Sequence, residues 1–132
     1  MAYLVQADIT DRVAIPFIAF ADVDIDIYLA KGDKYIESLA QRLGVMDFTD
    51  ILEPLVIELQ EYGMAKVYQD LFKDMMNVNN VDSFEADKYA NKMVLYKERA
   101  ISLSKELTYE MITGQVKDLT DRHSSSFDMW RS

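Results

Sequence analysis

The chain reads as all-α: a small bundle of three main helices, at about 22–43, 50–76 and 83–113, with a short N-terminal turn before them and an extended C-terminal tail after them. Apolar residues recur at steps of three and four through three long segments, which is the period of an amphipathic helix. Gly and Pro are scarce, at 4 and 2 of 132 residues, and mostly read as helix punctuation. No pair of alternating runs is joined by a hairpin turn, so no convincing strand pair competes with the helices.

The opening MAYLVQADITDRVA reads as an extended start followed by a short helical turn. Thr10 is a candidate N-cap with Asp11 in the first turn, and Pro16 limits any helix there. In the first main helix, Ile25, Leu29, Gly32, Ile36, Leu39 and Leu43 share one face, and Gly44 stands where a C′ glycine belongs. Val23 to Ile27 also alternates in the manner of a strand, but the helical spacing continues for two further turns. Gly32-Asp33 is a point where this helix could divide, with Asp33 capping the second half.

The second helix is expected to begin near Thr49 or Asp50. Asp50 and Glu53 have capping-box spacing and Pro54 suits a first turn. Leu52, Val56, Leu59, Gly63, Val67, Leu71 and Met75 form its stripe. Gly63 costs up to ~1 kcal/mol relative to Ala in a helix interior, so it marks a kink or a close helix approach. Asn77 to Ser83, NVNNVDS, is the clearest loop. In the third helix Asp82 and Glu85 have capping-box spacing again. Tyr89, Met93, Tyr96, Ala100, Leu103 and Leu107 step four and three along a seam that should stop at Gly114. A single helix of that length would span roughly 45 Å, more than a three-helix core covers. One domain is expected, with residues 1–114 as the bundle and 115–132 as an extended arm.

Composition narrows the function. The net charge is −9, and all of the excess acid lies within the first 83 residues. Gripping the DNA backbone needs a basic patch, so duplex binding is not the expected task. Without cysteine, disulfides and thiolate metal sites are excluded. No apolar run approaches the ~18 residues of a membrane helix. The first residues also lack the basic and apolar regions of a secretory leader.

Catalytic constellations are absent from the pattern. The one histidine, His123, sits in the polar tail, where a Ser/His/Asp triad would lack rigid support. A di-metal site of a helical bundle needs Glu-x-x-His pairs, and none occurs. Asp22, Asp24 and Asp26 resemble the start of a calcium loop, but the sixth-position glycine and twelfth-position acid are missing. No phosphate-cradling glycine loop and no Gly-x-Ser-x-Gly is present. No enzyme activity, cofactor or metal is therefore expected.

The tail carries a different signal. Phe127, Met129, Trp130 and Arg131 place the one tryptophan behind a serine run. Trp and Arg are favoured interface anchors, and a short arm can order on binding. These four residues are the candidate partner-binding site. The alternative is that the rings fold back onto their own bundle.

The order of segments resembles the head–tail connector (adaptor, or head-completion) proteins of tailed bacteriophages. MAYLVQADITDRV is similar to their short opening segment, and DIDIYLAKGDKYIESLAQRLGV to their first long helix. ILEPLVIELQEYGMAKVYQDLF resembles the second, where a proline precedes an amphipathic run, and YKERAISLSKELTYEMITG the closing one. The likeness covers about residues 1–114 and includes no catalytic motif. It implies a homo-oligomeric ring of about twelve copies that sits beneath the portal protein and contacts the next tail or stopper protein. It also implies that DNA passes through the lumen without specific binding, and that the ring belongs to the virion, assembled in the host bacterial cytoplasm. The reading that stands beside it is a small soluble helical adaptor or regulator with one protein partner.

Overall fold

A computed structural model describes residues 3–11, 24–76 and 83–115. The chain is all-helical there, with no strand among the described residues. A 3₁₀ turn at Gln6–Asp8 precedes α1 (Ile25–Arg42), and a second at Phe48–Asp50 precedes α2 (Ile57–Met76). Then come α3 (Ser83–Glu106) and the short α4 (Tyr109–Thr113). None of these helices is long and apolar enough to cross a membrane.

α1 starts at Ile25 because Asp24, in extended conformation, turns its carboxylate back to accept from the Asp26 amide at 3.2 Å. It ends as the sequence predicts, at Gly44, whose φ of 104° only glycine adopts without strain. The helix does not divide at Gly32. Asp33 instead accepts from the amides of Tyr3 and Leu4, at 2.9 and 3.0 Å, and so ties down the N-terminal segment.

α2 begins seven residues later than the capping-box spacing suggests. The residue before a proline is pushed out of the helical region, so Glu53 cannot continue a helix into Pro54. The chain spends the interval differently. Asp47 caps the 3₁₀ turn by accepting from the Thr49 amide at 3.0 Å, and the Leu52 amide donates to the Ile112 carbonyl at 2.9 Å. Ile51 is buried there, which stitches the connection to α4.

The third segment is two helices rather than one. α3 stops at Glu106 and is about 36 Å long. Thr108 is extended, and its hydroxyl accepts from the Met111 amide at 3.2 Å, which opens α4. The predicted stop at Gly114 holds, with φ of 70°. The expected pairing of Asp82 with Glu85 lies outside the described residues.

α2 is the centre of the packing. It contacts α1 on one side and α3 on the other, and α1 and α3 scarcely meet. The α1 side is a close crossing of two glycines. A Cβ on Gly63 would stand 2.6 Å from Ile36 Cδ1, and one on Gly32 would stand 2.6 Å from both Leu4 Cδ1 and Val67 Cγ2. The α3 side is aromatic: Tyr68 and Phe72 meet Tyr89 and Tyr96, and the Phe72 and Tyr96 rings are parallel within 1°. Phe72, Ile36, Leu59, Leu71, Met75 and Ile112 are fully enclosed.

The N-terminal segment runs across α2 like a strap, from α1 to α3. The helical turn expected after Thr10 falls on residues outside those described. The turn that is seen lies earlier, at Gln6–Asp8. Asp11 is buried against α3 instead of facing solvent in a first turn.

The crossing sets a prediction. Gly63→Val should lower stability by about 1–3 kcal/mol through overpacking against Ile36, despite the better helix propensity of valine. Gly32→Val should do the same against Leu4 and Val67. Denaturant midpoints of the purified variants test both.

Candidate functional site

The tail residues Phe127, Met129, Trp130 and Arg131 lie outside the described residues, as does His123. Of the aspartates that resemble a calcium loop, Asp24 is a helix cap, and Asp26 accepts from Gln6 Nε2 at 3.1 Å. No three acids or histidines converge to hold a metal ion among the described residues.

One buried polar cluster joins the strap to the bundle. The Tyr68 hydroxyl accepts from the Thr10 and Asp11 amides at 2.8 and 3.1 Å. The Asp11 carboxylate accepts from Lys92 Nζ at 3.1 Å and from the Tyr96 hydroxyl. Burial, followed by the Asp11 hydrogen bond and charge, pushes the Tyr96 phenol well above its ordinary range. The same pairing recurs: Tyr28 donates to Asp74 at 2.6 Å, Tyr35 to Asp70 at 3.2 Å, and Tyr3 to Glu37 at 3.2 Å. Burial first, and the neighbouring carboxylates second, raise these phenols too. A neutral phenol that donates to a carboxylate between two elements is a tether.

An open groove lies on α2 between α1 and α3. Arg42 comes from the last turn of α1, where a cation suits the helix dipole. Tyr62, Lys66 and Gln69 come from α2, and Lys97 and Ile101 from α3. Lys66 rests over the Tyr35 ring, 4.6 Å from its centroid. Burial raises the Tyr62 phenol, and the charge and hydrogen bond of Arg42 partly offset that rise. Among the described residues three cations and no carboxylate line this groove, on a chain with net charge −9. Its volume, about 260 Å³, falls short of the roughly 300–1,000 Å³ of small-molecule sites. It suits side chains of a protein better than a metabolite.

The opposite flank of α3 has the reverse character. Glu58 and Glu61 of α2 stand beside Leu95, Glu98, Arg99 and Glu106 of α3, and Arg99 pairs with Glu61. Helical geometry explains the separation. At about 100° per residue, Lys97, Ile101 and Ser104 fall on one side of the Tyr89–Leu107 seam, and Leu95, Arg99 and Glu106 on the other. Along this outer surface α3 turns Ile101 of the groove, Leu95 of the flank and Val94 between them to solvent, at 46, 54 and 48% exposure. Sequence reading missed the groove because its cations come from three helices, with no shared spacing and within acidic surroundings. The apolar residues off the α3 seam were the one available signal.

Two outcomes follow from the tether. Tyr96→Phe removes a donor from the buried Asp11 carboxylate and should cost about 1–3 kcal/mol, read by thermal or chemical denaturation. The phenols held above their ordinary value of 10.0 make the folded state the tighter proton binder. Their contribution is fully present below pH 10 and is lost as pH rises through the higher folded values. Tyrosinate absorbance should therefore appear together with loss of helical circular dichroism, and later than in the unfolded chain.

Comparison with family models, with curated proteins and with solved structures finds no match for this chain.

Proposed function

We propose that the protein is a structural component of a virion, a head–tail connector that forms a ring between the portal and the tail of a bacteriophage and extends the DNA channel. The segment resemblance over residues 1–114 supplies the family. The observation that carries the structural half of the reading is α3, a helix of 24 residues packed on α2 along one side while Val94, Leu95 and Ile101 face solvent. Such a helix is suited to a neighbour, and side-to-side contacts that close make a ring. The acidic balance of the chain suits a channel, because carboxylates repel phosphates and let DNA slide without sticking.

In this reading the arm docks onto the portal protein or a neighbouring subunit through Phe127, Met129, Trp130 and Arg131. The ring then offers its far side to the next tail or stopper protein.

The test is the mass of the purified protein in solution, with portal rings added, for the full chain and for a chain lacking residues 115–132. The full chain should add to portal rings as a stoichiometric belt, and the shortened chain should fail. Trp130→Ala should weaken capture by about thirtyfold, the effect of a hot spot worth ~2 kcal/mol. A monomer that ignores portal rings would sink the reading and leave the single-partner adaptor in its place.

A further inference from the structure

We infer that the groove lined by Arg42, Lys66 and Lys97 receives the acidic flank of α3 from a second copy of this chain, and that this is the contact that builds the ring. The inference rests on the ring reading above and specifies its interface.

Charge complementarity selects the occupant. Among the described residues the groove carries three cations and no carboxylate, and the far flank carries Glu58, Glu61, Glu98 and Glu106 around Arg99. Arg99 is engaged by Glu61, and Lys105 stands beside Glu98 and Glu106, so four carboxylates against two cations leave the flank negative. Each surface also has an apolar centre, Ile101 at the groove and Leu95 on the flank, both about half exposed. A charged rim around an apolar contact is the usual layout of a specific interface.

The two surfaces lie on opposite sides of one helix, and this determines the symmetry. Because the surfaces face opposite ways, a single partner cannot cover both, so a two-fold dimer would set groove against groove or flank against flank, bringing like charges together at a cost of several kcal/mol. Groove to flank pairs opposite charges and leaves one free groove and one free flank on every dimer. Each copy then adds head to tail, and a constant rotation per step closes the chain into a ring. The groove is too small for most metabolites but admits the ends of one or two carboxylate side chains.

Charge reversal with the full-length protein tests this. One variant carries Lys66→Glu and Lys97→Glu, the other Glu98→Lys and Glu106→Lys. Each alone should lose self-association by on the order of a hundredfold, by analytical ultracentrifugation at fixed salt, with helical circular dichroism unchanged. Mixed, the two should co-assemble at equal stoichiometry, because each reversed groove now meets a reversed flank. Lys97→Glu by itself, at an exposed position, gives the same sign if loss of the Lys66–Tyr35 contact disturbs folding. Wild-type rings that tolerate every reversal, or folded variants that stay apart when mixed, would overturn this interface and leave the ring reading standing. A wild-type chain that stays monomeric alone and on portal rings would overturn both.

Discussion

The bundle depends on α2 being apolar on two opposite sides. A helix with a single stripe can sit at an edge, but one buried on both sides must lie between neighbours. Gly63 and Val67 face α1, and Tyr68 and Phe72 face α3. With α2 in the middle, α1 and α3 are held apart and scarcely touch. The consequence for function is that α3 has one packed side. A helix in a closed four-helix bundle would have no such surplus, and Val94, Leu95 and Ile101 would not face water.

The two sides of α2 are held by different means. Toward α1 the backbones approach closely through Gly32 and Gly63, with Ile36, Leu4 and Val67 filling the crossing. Toward α3 the contact is made by stacked rings, which bury large apolar area and leave their hydroxyls at the edge. Tyrosine hydroxyls on both sides of α2 are where acids are used, Tyr96 toward α3 and Tyr28 and Tyr35 from α1. Asp11, Asp70 and Asp74 each take a proton donor from a tyrosine on another element. A neutral donor spares the carboxylate a second buried charge, so the desolvation of a buried ion pair is largely avoided. Lys92, partly exposed, adds to Asp11 alone among these three.

The remaining charge is sorted by face. Four of the acids, Glu58, Glu61, Glu98 and Glu106, lie on one flank of α3, and cations from three helices lie on the other. Net charge describes solubility and long-range repulsion. It does not describe how these two groups of charges are placed on opposite sides of α3.

The sequence by itself determined the helical class, the face of α1, one of the two buried sides of α2, the seam of α3 and the glycine stops at Gly44 and Gly114. These follow from spacing within one segment and from conformations open to glycine alone. It misjudged the places where a remote partner overrides a local signal. Asp33 has the chemistry of a cap but is taken by Tyr3 and Leu4, and Thr108 divides a seam that reads as continuous. The late start of α2 was legible at Pro54 through the restriction on Glu53, and the capping-box spacing concealed it. The charge of the candidate groove was not legible, although the apolar residues off the α3 seam hinted at an unpacked face. Arg42, Lys66 and Lys97 are unrelated in sequence, and only the packing of α1 and α3 on opposite sides of α2 brings their charges to one face, because charge acts through space and not along the chain.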